Sequence, residues 1–186
     1  MANRNTQGFG LIPQGTIGST PATGGQGKYF IDAAYNADLF QGTAVKSTAG
    51  YIIDGQTTDA PILGVLNGIF YNAATTLKPT FSNHYVQVTP ANSEDIDAFV
   101  FDNPQQQYVV ATDAAVAQSG YLETYDMNTT AGSTSTGQSS ATLDIGDTSA
   151  DAASWRLLRS AEDPENDENA AFRSVVVVAN LIELQS

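Results

Sequence analysis

Apolar residues along this chain gather in short runs that alternate with polar residues, and clusters of Gly, Pro, Asn, Asp and Ser separate the runs. Alternation at period two marks strands with one buried face, and frequent turn formers mark many short strands. Tyr29-Phe30-Ile31, Ala44-Val45-Lys46 and Tyr51-Ile52-Ile53 read as such strands. The longer run Ile62-Leu63-Gly64-Val65-Leu66-Asn67-Gly68-Ile69-Phe70-Tyr71 is apolar on both faces, as a strand covered on both sides would be. Asn67-Gly68 at its centre fits either a two-residue hairpin turn or a bulge. A bulge is expected, because the flanking arms would make a very short hairpin.

Further strands are expected at Tyr85-Val86-Gln87-Val88-Thr89, Ala98-Phe99-Val100-Phe101 and Gln107-Tyr108-Val109-Val110-Ala111, spaced like an antiparallel meander. Two closing strands follow, one over residues 154–159 and the other over the apolar run 174–184. Residues 112–120, with a capping-type residue at the start and Gly120 at the end, are the one place for a short helix. The fold class that follows is all-β: an antiparallel barrel or sandwich with an extended N-terminal arm and at most one short helix.

The arm is residues 1–27, where Gly8, Gly10, Pro13, Gly15, Gly18, Pro21, Gly24, Gly25 and Gly27 interrupt any periodicity. Phe9, Leu11, Ile12 and Ile17 make it more apolar than a free linker needs, so it is expected to order against a neighbouring subunit. Residues 28–186 form a single β-rich body with long loops near 128–142, a Thr/Ser/Gly tract, and 160–173, an acidic link.

Composition narrows the function. The 186 residues are 41% hydrophobic, enough for a real core, but only 15% charged, so uncharged polar groups cover much of the surface. A net charge of −13 with 7 Lys+Arg repels phosphate backbones and anionic membranes, which argues against nucleic-acid and membrane partners. The absence of cysteine removes disulfides, thiolate metal sites and thiol nucleophiles. No apolar stretch of signal-peptide or membrane-span length is present in the sequence.

Candidate chemistry is sparse. His84 is the single histidine and reads as a packing or surface residue, not a general base. Gly137-Gln138-Ser139-Ser140-Ala141 approaches a nucleophile elbow but ends in Ala inside a polar tract. Gly27-Lys28 lacks the leading glycine of a phosphate loop, Ala22 standing in its place, and Asn128-Thr129-Thr130 matches a glycosylation sequon by chance.

Three acidic clusters invite a test for calcium: Glu94-Asp95-Ile96-Asp97; Asp144 with Asp147 and Asp151; and Asp163-Pro164-Glu165-Asn166-Asp167. The third begins like an EF-hand loop, yet Glu168 replaces the turn glycine and Ser174 the bidentate Glu. Asp163, Glu165 and Asp167 remain as an irregular candidate; no catalytic residue and no cofactor is assigned.

Several segments resemble a family of virion structural proteins from tailed phages. The likeness runs through Asn3 to Pro13 and Gly24-Gly25-Gln26, then the run 64–71, Lys78-Pro79-Thr80-Phe81-Ser82-Asn83 and Ala98-Phe99-Val100-Phe101-Asp102-Asn103-Pro104. It continues in Thr136-Gly137-Gln138-Ser139-Ser140 with Leu143-Asp144, and in Glu162-Asp163-Pro164-Glu165-Asn166. The C-terminal Asn180-Leu181-Ile182-Glu183-Leu184 departs from the Asn-x-His ending of that family.

The resemblance implies a particle component without catalysis, and does not by itself place it on the particle. A compact β body with an arm that ties subunits together is what a protein that decorates or cements the capsid exterior needs, assembled in the host cytoplasm. Its partners would be the major capsid protein and copies of itself, as a homotrimer, with Phe9, Leu11, Ile12 and Ile17 of the arm making contacts. The alternative is a tail-fibre or surface-attachment module that stacks host glycans on Tyr121, Tyr125 and Trp155.

Overall fold

A computed structural model describes residues 3, 5–18, 25–56, 61–146 and 153–185. The expectations for Pro21, Gly24, Asp147 and Asp151 lie outside the described residues. The rest is all-β, as the alternation predicts, and no α-helix forms among the described residues.

The strands divide between two large antiparallel sheets. One has the order β1-β8-β13-β12-β9, from β1 (Ile12–Thr16), β8 (Gln106–Ala111), β13 (Ser174–Ala179), β12 (Trp155–Ser160) and β9 (Thr124–Tyr125). The other has the order β2-β7-β5-β3-β4, from β2 (Gly27–Ile31), β7 (Ile96–Phe101), β5 (Gly64–Asn72), β3 (Ala44–Thr48) and β4 (Tyr51–Asp54). A short β6 (Pro79–Ser82) pairs with the far end of β5, and β10 (Met127–Asn128) pairs with β11 (Thr142–Leu143).

Local chemistry explains the connections. β3 and β4 meet through Ala49 and Gly50, both at positive φ (51° and 89°), the geometry that lets a two-residue turn follow the twist of a hairpin. β5 runs unbroken, and its register against β7 shifts between Leu66 and Gly68, so Asn67-Gly68 is the expected bulge. From β7 the chain passes Asp102 to Gln105, where Asn103 Oδ1 accepts the Gln105 N–H at 2.9 Å, and enters β8 in the other sheet. That crossing corrects the meander: β7 and β8 are consecutive in sequence but never pair.

Two cores result. Between the sheets, Leu11, Tyr108, Val110, Trp155, Leu157, Val175 and Val177 pack against Ala44, Ile62 and Val65, with the Tyr108 and Trp155 rings edge to face at 5.6 Å. The second sheet curls until β4 lies near β2. Its hollow holds Ile31, Val45, Ile52, Leu66, Ile69, Ile96, Ala98 and Val100, capped by Leu39 and by Tyr85, whose hydroxyl bonds the Tyr35 carbonyl. Being lined on both sides, this sheet explains why the run around Val65 and Leu66 is apolar on both faces.

Three expectations are corrected. Residues 112–120 form no α-helix, only a 3-10 turn at Gln118–Gly120. Residues 85–89 form no strand; Tyr85 makes a single bridge to Leu39, and Gln87 adopts a positive φ of 37°. Residues 5–16 do not extend away as an arm but fold onto the chain's own body. Leu11 sits in the core at 1% exposure and β1 is a strand of the first sheet. The tract near 128–142 closes over this segment: a Cβ at Gly8 would lie 2.1 Å from the Ser140 carbonyl oxygen, so only glycine lets the two backbones touch.

Candidate interaction surface

The outer face of the second sheet carries exposed aromatic side chains. In an antiparallel pair, directly opposed residues share a face. Phe81 stands opposite Phe70, Phe70 opposite Asp97, and Asp97 opposite Phe30, so all four lie in one row from β6 to β2. The next row carries Gly68, Phe99 and Lys28. The Phe81 and Phe99 rings meet with centroids 6.1 Å apart, above Gly68, where a Cβ would come within 3.0 Å of Phe81 Cζ.

Phe81 is 64% exposed and Phe30 43%, and neighbouring Leu77 is exposed as well. Polar groups cross the patch at one point, where Lys28 Nζ and an Asp97 carboxylate oxygen lie 2.7 Å apart and the ammonium stands 5.5 Å from the Phe30 ring centre. Sequence reading missed this surface. Its signal was present in Phe99, a large apolar side chain out of phase with Ala98 and Val100 on the core face, and Pro79 hid β6.

The sequence-predicted contact residues divide. Leu11 is a core residue, which removes it as a partner contact, because a side chain closed between the sheets has no surface to offer. Phe9 is half-buried and lines a cavity of about 130 Å³ with Leu11, Ile12, Pro13, Leu66 and Phe101. Ile12 and Ile17 are exposed, at 44% and 47%.

The acidic link does not present its carboxylates to a common point. Asp163 caps the Glu165 N–H at 3.0 Å and Asp167 caps the Asn169 N–H at 3.0 Å, each turned into its own turn. The inward group is Asn166, whose amide donates to the Ser174 carbonyl at 2.8 Å and to Ser160 Oγ at 3.0 Å, while its Oδ1 accepts the Ser174 N–H at 2.9 Å. Among the described residues no three carboxylates or histidines gather to hold a metal. In the first cluster Asp97 pairs with Lys28, and Asp95 accepts the Tyr51 hydroxyl at 3.1 Å.

His84 stacks on Phe40 with ring centres 6.0 Å apart, its Nδ1 2.9 Å from Asn83 Oδ1, a packing role. Ser139 is buried and its hydroxyl accepts the Ala141 N–H at 3.2 Å. Of the aromatics considered for glycan stacking, Trp155 and Tyr125 are buried, and Tyr121 is half-buried with the Arg173 guanidinium 5.7 Å from its ring centre.

Burial raises several of the tyrosine phenols, and at Tyr29 a nearby carboxylate adds to it. Desolvation, with the hydrogen bond that Tyr29 donates to Asp102 at 2.8 Å, pushes the Tyr29 phenol up to about 12. Burial raises Tyr108, Tyr35, Tyr85 and Tyr125 in the same direction. A phenol that holds its proton more tightly when folded contributes stability that is complete below its unfolded value of about 10 and is lost as pH rises through the folded value. From neutral pH the denaturation midpoint is therefore expected to stay level to about pH 9 and to fall between about pH 10 and 12. Urea titrations across that range check it, and Tyr29→Phe is expected to soften the fall.

No family model, no curated protein and no solved structure matches this chain.

Proposed function

We propose that the chain is a non-catalytic structural protein that attaches to a repeated protein lattice; the resemblance points to a tailed-phage particle, and on this reading the chain decorates or cements its capsid exterior. The observation that carries the reading is the outer strand of the first sheet. β1 stands at the end of the described strand order, rooted by Leu11, with Ile12 exposed on it and Ile17 exposed just after it, where the Ile17 N–H bonds the Gln105 carbonyl at 2.9 Å. An exposed edge with apolar side chains is a template for a partner strand or groove, and repeated weak contacts of this kind gain strength on a lattice.

On this reading Ile12 and Ile17, not the whole arm, touch the major capsid protein or further copies of the chain. Burial of Trp155 and Tyr125 takes two platforms away from the glycan-binding alternative. Quantitative mass spectrometry of purified virions tests the proposal, with copies on the order of hundreds per particle expected for a shell component. The double variant Ile12→Asp, Ile17→Asp is expected to keep its fold and lose attachment. A handful of copies per particle, or attachment unchanged in the double variant, would overturn the reading.

A further inference from the structure

We propose that the phenylalanine face of the second sheet is a self-association surface on which two copies of the chain meet face to face about a two-fold axis. Phe30, Phe70, Phe81 and Phe99 supply the apolar contact, and Lys28 with Asp97 supplies the register.

Charge selects the occupant. At a net charge of −13 two copies repel over most of their surfaces. Lys28 and Asp97 cancel within this face, and Lys78 precedes β6 at its edge, so these groups add no net negative charge to it. A patch that carries one cation and one anion side by side is its own complement under a two-fold rotation: Lys28 of each copy reaches Asp97 of the other, as an isologous contact requires. Phenylalanine offers sugars no hydrogen bond, and an acidic chain repels nucleic acid, so neither fits this face as a second copy does.

Size sets the strength. Four strands at about 4.8 Å spacing give a face some 15–20 Å across, a few hundred Å², below the roughly 800 Å² per partner of a standard stable interface. Association is weak in dilute solution and rises where copies are crowded together.

Sedimentation velocity over a concentration series from about 10 μM to 1 mM is the test. The intact chain is expected to pass from monomer to dimer, and Phe81→Asp, at an exposed position that the fold tolerates, to lower the association constant about tenfold or more. Lys28→Asp and Asp97→Lys each weaken association alone, and an equimolar mixture of the two variants restores it, although neither chain then holds an internal pair. A monomer at every concentration, a trimer as the first assembled species, unchanged association of Phe81→Asp, or a mixture no tighter than its components would each overturn the proposal. No shell is present in this measurement, so its outcome is separate from that of the attachment experiment.

Discussion

A chain beginning at Lys28 is expected to lose most of its stability, its urea midpoint falling far below that of the full sequence. Leu11 fills a place between the sheets at 1% exposure, and removing a buried leucine costs about 2–5 kcal/mol. The loss does not stop there. β1 covers one edge of β8 over Ile12 to Thr16, so its removal strips the backbone partners from that edge. Asn3 goes too, and its side-chain amide donates to the Ala171 carbonyl at 2.9 Å while its oxygen accepts the Asp167 N–H, pinning the acidic link to the body.

Against a total of about 5–15 kcal/mol for a domain, losses of this kind decide whether the body folds at all. Chemical denaturation of the two chains side by side is the measurement, and an unchanged midpoint would return these residues to the status of a free arm. Ile17→Ser, at a position 47% exposed, is the control and is expected to leave the midpoint nearly in place.

The second large effect is expected at Trp155. Replacement by Ala is predicted to cost about 3–5 kcal/mol, as deletion of a buried aromatic does. Trp155 is 1% exposed, lies in β12 opposite Ala179, and meets Tyr108 edge to face, and Tyr108 in turn donates its hydroxyl to the Phe101 carbonyl at 3.1 Å. That chain of contacts links the first sheet to the last residue of β7 in the second. A small void of about 10 Å³ already adjoins the indole beside Ile62, Gly64 and Ile182, so truncation enlarges an existing gap that the backbone has not closed. Trp155→Phe is expected to cost less, because most of the volume stays. The molecule has a single Trp, so circular dichroism during urea unfolding compares all three chains on one signal.

Period-two alternation made the strands readable wherever one face was buried and the flanks carried turn formers: β2, β3, β4, β7, β8 and β12 all lie where the pattern puts them. The bulge at Asn67-Gly68 was legible from chain length alone. Residues 85–89 failed for a definite reason: Val86 and Val88 alternate with Gln87 and Thr89 like a strand, yet Tyr85 serves as a lid on the hollow of the curled sheet. β1 failed in the opposite direction. Gly10, Pro13 and Gly15 look like linker punctuation, but Gly10 adopts a φ of 71° at a close approach to Ser139, and the register breaks between Pro13 and Gly15. Breakers in this segment shape an edge strand; they do not prevent one.

The apolar surface was harder to read. Ile12 and Ile17 were found because they stand in a polar setting. Phe30, Phe81 and Phe99 were missed because strand residues of this type are normally assigned to a core, and only the register between β6, β5, β7 and β2 reveals that they share two adjacent rows of the sheet's outer face.

Sequence distance gives the Asn3 contact a kinetic meaning. Its partners lie 164 and 168 residues further along, and β1 waits for β8 and β13 before its sheet exists. Pairings this remote close slowly, since the whole intervening loop must be gathered first. This segment is made before its partners and is thus among the last to be placed, and until then Leu11, Ile12 and Ile17 stay uncovered on a nascent chain, the period in which this protein is most open to capture by a chaperone or by an unfinished neighbour.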